Sequence, residues 1–182
     1  MIFSETERLR LRSLEKTDLP RLVELIGDWA VAQWLSRVPH PYTRKDGEDW
    51  LARISALESA GKPEYFVLCE KNANILMGAC SIHPPQKPDP KPGEAELGYW
   101  LGKPFWGQGY MSEAVKAVLP IAFASPDVLL ITSRTNPKNQ ASRNVLRKAS
   151  FKYLGIFPRT EDDLRGEPEC TRWELAKSDY RI

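Results

Sequence analysis

Residues able to do chemistry are concentrated between Glu94 and Ala114, a stretch with three carboxylates, several aromatic residues and a glycine-rich turn. The turn, Gly102-Lys103-Pro104-Phe105-Trp106-Gly107-Gln108-Gly109, lies between an alternating strand pattern and an apolar periodicity of helical spacing. Such a turn at a helix N-terminus aims several unpaired backbone N–H groups at one point, where the helix dipole also favours negative charge. Gly107 and Gly109 allow the tight backbone and the close approach of a ligand. The chemistry implied is the binding of a phosphate or pyrophosphate. The plainer alternative is that two glycines merely turn a strand into a helix. A nucleotide P-loop needs Lys-Ser/Thr after its last glycine, but Gly109 is followed by Tyr110-Met111. A dinucleotide fingerprint wants a third glycine-like residue where Ser112 stands and an acid closing the next strand, whereas Asp127 precedes that strand.

Other reactive residue types are thinly spread. His40 and His83 are the two histidines, and neither sits near a serine or cysteine in a pattern that makes a nucleophile. Cys69, Cys80 and Cys170 lie far apart, lack zinc-ligand spacing, and cannot all pair in disulfides. A reducing cytoplasm and no metal are the expectation. Cys80 reads as a packed strand residue, because no neighbouring His or cation would lower its pKa. Lys and Arg number 26 against 24 Asp and Glu among 182 residues, and a net charge of +2 is too small for a nucleic-acid footprint. No stretch reaches the roughly 18 apolar residues of a membrane helix, and the N-terminus lacks a basic region followed by an apolar run. Neither nucleic acid nor membrane is an expected partner.

The elements that must position the reactive stretch are legible from periodicity. Leu9 and Leu11 alternate with Arg8, Arg10 and Arg12, which predicts a first, half-exposed strand. Thr17-Asp18 can cap a helix through Ile26, Trp29 to Leu35 offers a short second helix, and Thr43 can cap a third with Trp50, Leu51, Ile54 and Leu57 on one face. Tyr65–Glu70 and Leu76–Ile82 read as a hairpin turned by Asn72-Ala73-Asn74. Five prolines fall in the ten residues 84–93, an extended surface loop within one domain. Glu94 to Leu101 is a strand, and Met111, Ala114, Val115, Val118, Leu119 and Ala122 form a helix that Pro120 should kink or end early. Val128 to Thr132 looks like a strand covered on both faces, Asn136 to Ala149 like a helix, and two strands near Lys152–Phe157 and Thr171–Lys177 close the chain. The fold class is α/β (α+β): one domain over residues 1–182, with a mixed, mostly antiparallel sheet of about seven strands flanked by helices.

Gly98-Tyr99-Trp100-Leu101 followed by Pro104-Phe105-Trp106-Gly107-Gln108-Gly109-Tyr110-Met111 resembles the acetyl-CoA loop of the GNAT N-acyltransferases, in the RimJ/RimL-like branch of ribosomal-protein N-terminal acetyltransferases. Thr6-Glu7-Arg8-Leu9-Arg10-Leu11-Arg12 is similar to that branch's first strand, and Asn136 through Asn139-Gln140-Ala141-Ser142 to Phe151 is similar to its last helix. The resemblance spans residues 5–176 in matching order. It implies that acetyl-CoA is the co-substrate and that backbone N–H groups from Trp106, Gly107, Gln108, Gly109, Tyr110 and Met111 hold its pyrophosphate. It places Tyr99, Trp100 and Leu101 beside the pantetheine, with a strand N–H near Leu101 polarising the thioester carbonyl. It assigns Asn136 and Asn139 to the pantetheine arm or acetyl region, and Ser142 to protonation of the departing thiolate. Their plainer readings are an N-cap for Asn139 and a helix residue bonding back to a carbonyl for Ser142.

The reaction implied is direct attack of a neutral amine on the thioester. Amines of pKa about 8 to 10.4 are largely protonated at neutral pH, so a base is needed. Glu96 is the candidate, on the same strand as the thioester-binding segment; the period of two puts Glu94, Glu96, Gly98 and Trp100 on one face and Leu97, Tyr99 and Leu101 on the other. The alternative is a solvated strand face. Trp34, His40 and Tyr42 are the expected acceptor wall, against core packing for Trp34 and a surface loop for His40. Three departures from the family pattern stand out. Pro104 replaces the residue that opens the pyrophosphate loop, Leu146 stands where many relatives carry a tyrosine acid, and Ser150-Phe151 replaces Gly-Phe and weakens the expected left-handed cap. The acceptor expected is a protein N-terminal α-amine or a small amine. An antibiotic or polyamine acetyltransferase, which should show an acidic cleft, and a CoA-binding sensor without turnover are the alternatives. A homodimer is the leaning for assembly.

Overall fold

The sheet has eight strands in the order β1-β2-β3-β4-β5-β6-β8-β7. They are β1 (Ile2–Glu5), β2 (Leu9–Arg12), β3 (Tyr65–Glu70), β4 (Leu76–His83), β5 (Glu94–Leu101), β6 (Leu130–Thr135), β7 (Lys152–Pro158) and β8 (Glu169–Ala176). The helices are α1 (Leu19–Gly27), α2 (Trp29–Ala32), α3 (Arg44–Ser59), α4 (Tyr110–Ala124) and α5 (Gln140–Lys148). The computed structural model describes residues 1–85, 91–159 and 168–180. Residues 86–90 of the proline-rich stretch lie outside them. Every neighbouring pair of strands is antiparallel except β5 with β6.

Alternation along the strands divides the apolar residues between two cores. Leu9, Leu11, Phe66, Leu68, Leu97, Ile131 and Trp173 pack with the apolar stripe of α4 and with Leu146 of α5. Val67, Cys69, Leu76 and Ala79 pack on the opposite face with Leu19, Leu22, Leu25 and Ile54 of α1 and α3. Strand β3, buried on both faces, therefore reads as the unbroken apolar run Phe66-Val67-Leu68-Cys69. Arg12, on the second face of β2, is buried and held bidentately by Asp18 at 2.7 and 2.8 Å. Thr43 caps α3 through a reciprocal box with Asp46.

Four details differ from the expectations. The sheet gains an eighth strand because Ile2–Glu5 pairs with β2, seating Phe3 edge-on against Phe66 at 5.0 Å. Pro120 does not end α4, which continues to Ala124; Pro120 is exposed, so the carbonyl it leaves without a partner can meet water. β6 runs three residues beyond Thr132 and alternates buried with half-buried residues, because its end borders a cleft. Ser150 adopts φ 64° and completes the left-handed cap without glycine: its N–H donates to Arg147 O, and the Phe151 N–H donates to Leu146 O at 3.0 Å.

Candidate active site

The parallel strands part in the middle of the sheet. β5 and β6 pair at Glu94–Leu130, Ala95–Ile131 and Glu96–Thr132, where the ladder stops. Beyond it β5 stays with β4 and β6 with β8, leaving a fork. Ser133 Oγ donates to Leu97 O across its base at 2.9 Å, a side-chain bond in place of a ladder bond. Because the Gly102 N–H donates to Met77 O, antiparallel alternation turns the backbone groups of Leu97, Tyr99 and Leu101 into the fork. Leu101 O is taken by Trp106 Nε1 at 2.7 Å. Two clefts of about 530 and 550 Å³ open from the fork, and Leu97, Gly98, Tyr99 and Trp100 line both.

The first cleft is floored by the glycine-rich turn. Gly107 and Gly109 take φ 76° and 82°, left-handed values that suit glycine, and a Cβ at Gly107 would meet nothing within 4 Å. The first backbone bond of α4 runs from Glu113 N–H to Gly109 O. Among the described residues, the N–H groups of 107–112 donate to no protein acceptor, so they gather at the positive end of a 15-residue helix. That supply of donors fits a pyrophosphate. The turn is clamped from outside. Arg8 donates to Glu113 Oε2 at 2.7 Å and to Gln108 O at 3.0 Å, and its guanidinium lies 4.4 Å from the Tyr110 ring centroid. Glu113 also accepts from Thr6 Oγ1 at 2.5 Å and the Arg8 N–H at 3.1 Å. Desolvation alone would raise the Glu113 carboxyl; the bonds from Thr6 and Arg8 outweigh it and hold the group below its ordinary value.

Of the turn residues singled out from the sequence, Trp106, Gly107, Gly109, Tyr110 and Met111 line this cleft, but the Trp106 N–H, expected among the pyrophosphate donors, is spent on Lys103 O at 3.2 Å because the 3-10 turn closes there. Gln108 does not: its carbonyl is drawn outward by Arg8 and its carboxamide donates to Pro104 O at 3.1 Å. Pro104 itself is the second residue of a short 3-10 turn, Lys103–Phe105. Leu101, Asn139 and Ser142 also line the cleft. Asn139 caps α5, its Oδ1 accepting from the Ser142 N–H at 3.0 Å. Ser142 Oγ lies 2.8 Å from Tyr99 Oη, which is 3.1 Å from Ser142 O as well. Burial, offset in part by that bond to Ser142, pushes the Tyr99 phenol well up, so it stays protonated. A phenolic hydroxyl is thus present beside the last helix although Leu146, fully buried, replaces the helical tyrosine.

The second cleft faces α1, α3 and the stretch between α2 and α3. Glu96 lies at the last β5–β6 pair and accepts from Arg134 Nε at 3.1 Å. Trp34 lines both clefts, while Tyr42 and Asn136 line the second alone. Asn136 Oδ1 accepts from the Lys138 N–H at 2.9 Å. Burial, with Asp46 nearby, pushes the Tyr42 phenol up to about 12. His40 lines neither cleft; it packs on Trp29 with ring centroids 4.9 Å apart, because the loop turns it away from the fork. Cys80 borders the cleft from the core side, where burial pushes its thiol up and Met111 Sδ lies 3.6 Å away; it is no nucleophile.

The acetyltransferase (GNAT) domain family matches residues 8–152. The chain belongs to this family. It is 30% identical over 175 residues to the uncharacterised N-acetyltransferase p20 of Bacillus licheniformis, covering 96% of each chain. Its fold is similar to that of the ribosomal-protein-S5-alanine acetyltransferase from Vibrio fischeri, with a TM-score of 0.81, 19% identity and 100% of each chain covered. It is also similar to the Salmonella typhimurium acetyl transferase that modifies the N-terminal serine of 50S ribosomal subunit protein L7/L12, with a TM-score of 0.76, 21% identity and 97% and 99% covered. This GNAT chain is therefore an N-acetyltransferase.

Within the GNAT frame, the fork juxtaposes a helix terminus rich in unused N–H donors, a Tyr99–Ser142 hydroxyl pair and a carboxylate across one strand. No group of three His, Cys, Asp or Glu residues suited to a metal occurs among the described residues, and no helix there is long and apolar enough to cross a membrane. Three residues of the site escaped the sequence reading. Arg134 stands two residues past the expected end of β6. Arg53 projects from α3 into the second cleft, and Arg8 reaches Glu113 across 105 positions. The alternation of Thr132 and Arg134 was a local signal for the first; the others depend on packing.

Proposed function

We propose that this GNAT chain, acting as one domain over residues 1–182 in the cytoplasm, transfers the acetyl group of acetyl-CoA to the α-amino group of a peptide or protein N-terminus. The observation that carries the reading is the fork: donors for a pyrophosphate line one side, and an open cleft of about 550 Å³ with Glu96 at its inner end lies on the other. Acetyl-CoA, when bound, supplies an acyl carbon already activated as a thioester. The N–H groups of 107–112 would hold its pyrophosphate, and the Tyr99 and Leu101 N–H groups, turned into the fork, would lie along its arm and polarise the carbonyl. Glu96 would take the proton of the attacking amine, directly or through water, with Arg134 fixing the carboxylate's orientation. Ser142 would give a proton to the departing thiolate, oriented by Tyr99.

A polyamine or aminoglycoside acceptor would call for an acidic cleft. Here Arg37, Arg53, Arg134 and Arg159 face Asp46, Asp49 and Glu96, which favours a peptide. The structural relatives that act on ribosomal-protein N-termini support the same choice. The test is thiol release from acetyl-CoA across N-terminal peptides, polyamines, amino acids and aminoglycosides, with calorimetric CoA binding alongside. Turnover on peptides is expected. Turnover confined to polyamines or aminoglycosides, or tight CoA binding without turnover on any acceptor, would overturn the reading.

A further inference from the structure

The acids of the second cleft are already engaged. Asp46 accepts from the Thr43 N–H and hydroxyl in the α3 cap, Asp49 pairs with Lys45 one turn earlier, and Glu96 is held by Arg134. Arg53 is different. Its guanidinium lies 5.7 Å from the centroid of the Tyr65 ring, and among the described residues it makes no ion pair. Tyr65 is itself fixed, edge-on to Trp50 at 5.7 Å and stacked on His83 at 6.4 Å. Arg37 also lines this cleft and, like Arg53, is near enough to Tyr65 to oppose the upward shift that burial imposes on its phenol. A planar guanidinium laid on a rigid aromatic shelf keeps its outer N–H groups oriented for a carboxylate or phosphate.

Register gives the distance from this shelf to the fork. Tyr65 pairs with Ser81, Ser81 with Gly98, and His83 with Glu96, so all of these side chains share the face of the second cleft. Two inter-strand steps separate Tyr65 from β5, about 10 Å at the usual spacing of a sheet. An extended peptide covers that in about three residues. A free amino acid, whose carboxylate sits next to its amine, cannot reach both ends.

We infer that the acceptor cleft selects a peptide N-terminus carrying an acidic side chain at about its second to fourth position, received by Arg53 on the Tyr65 shelf while the α-amine lies at Glu96. The inference rests on the N-terminal acetyltransferase reading. The test compares matched peptides with Glu, Gln or Lys at the third position, and free glutamate, for both turnover and calorimetric binding to the CoA-loaded protein. At low salt the Glu peptide should exceed the Gln peptide by about twofold to fivefold in kcat/KM, as expected for one charge-assisted contact to the exposed Arg53. The ratio should shrink as salt rises and fall toward one in R53Q, with R53K intermediate. Equal use of Glu and Gln peptides, an undiminished ratio in R53Q, or preference for free glutamate would each overturn it. Binding reads the charge preference even without turnover: a Glu-over-Gln binding ratio with no acetylation sinks the N-terminal acceptor reading and leaves the anion shelf standing, whereas acetylation without the ratio does the reverse.

Discussion

Removing the Ser142 hydroxyl and the Tyr99 hydroxyl, singly and together, tests whether the pair moves a proton. Ser142 Oγ and Tyr99 Oη lie 2.8 Å apart, and Tyr99 Oη can donate either to Ser142 Oγ or to Ser142 O. When it donates to Oγ, the serine's own proton is released toward the fork. A thiol of ordinary pKa about 8.5 is a fair leaving group, so loss of its acid should fall near the low end of general-acid effects, about 100-fold in kcat for S142A. Y99F removes one neutral hydrogen bond of about 1 kcal/mol, or about fivefold, and acts only through the serine. The double variant should therefore be no slower than S142A within about twofold, giving a coupling near 1 kcal/mol. The assay is thiol release at saturating acetyl-CoA, with CoA affinity measured by calorimetry. S142A should lower kcat by more than it weakens CoA binding. Multiplicative effects of the two substitutions, or an S142A rate within threefold of the native one, would refute the relay.

Two further outcomes follow from the scaffold. Glu113 has a folded pKa below its ordinary 4.5, so its contribution is fully present above about 4.5 and is lost as the pH falls through the lowered value; melting curves between pH 7 and 3 should steepen in their acid loss for the native chain and flatten for E113Q, and parallel curves would contradict the clamp. A Cβ at Gly78 would lie 2.3 Å from Trp100 O and 3.0 Å from Leu101 Cα, backbone atoms that cannot move without spreading β4 from β5. G78A should cost about 1–3 kcal/mol or more, about 3–10 °C in Tm for a chain of this size, and weaken CoA binding; a native Tm would show the strands to be more pliant than drawn.

The elements that define their own ends locally were readable. Thr43 with Asp46, Asn74 in its left-handed turn and Gly109 at the head of α4 carry the conformational signal in one or two residues. β5 was legible end to end, since its alternation and the turn after it agree. The fork was not, because the place where two strands stop pairing is a relation between β5 and β6 and leaves no mark on either alone. For the same reason β6 was read as a doubly covered strand ending at Thr132, which hid Arg134. Among the expected wall residues, Trp34 and Tyr42 line the second cleft, whereas His40 is rotated onto Trp29 by a loop whose course the sequence did not reveal. Ile2–Glu5 was missed as a strand because four residues carry too little periodicity to register.

The inner edges of the fork have a thermodynamic consequence for the rhythm of the enzyme. Leu97 O and Leu101 O are answered within the protein, while the Tyr99 and Leu101 N–H groups must be answered by whatever lies between the strands. An amide-bearing chain and liquid water can both do so at nearly equal enthalpy. Departure of a spent ligand is then an exchange of one set of hydrogen bonds for another, not a rupture. In the proposed reaction, the tightness of the grip would be left to apolar contact and to an anion at the helix terminus. These backbone groups would answer ligand and water in turn, which suits a protein that must let go after every cycle.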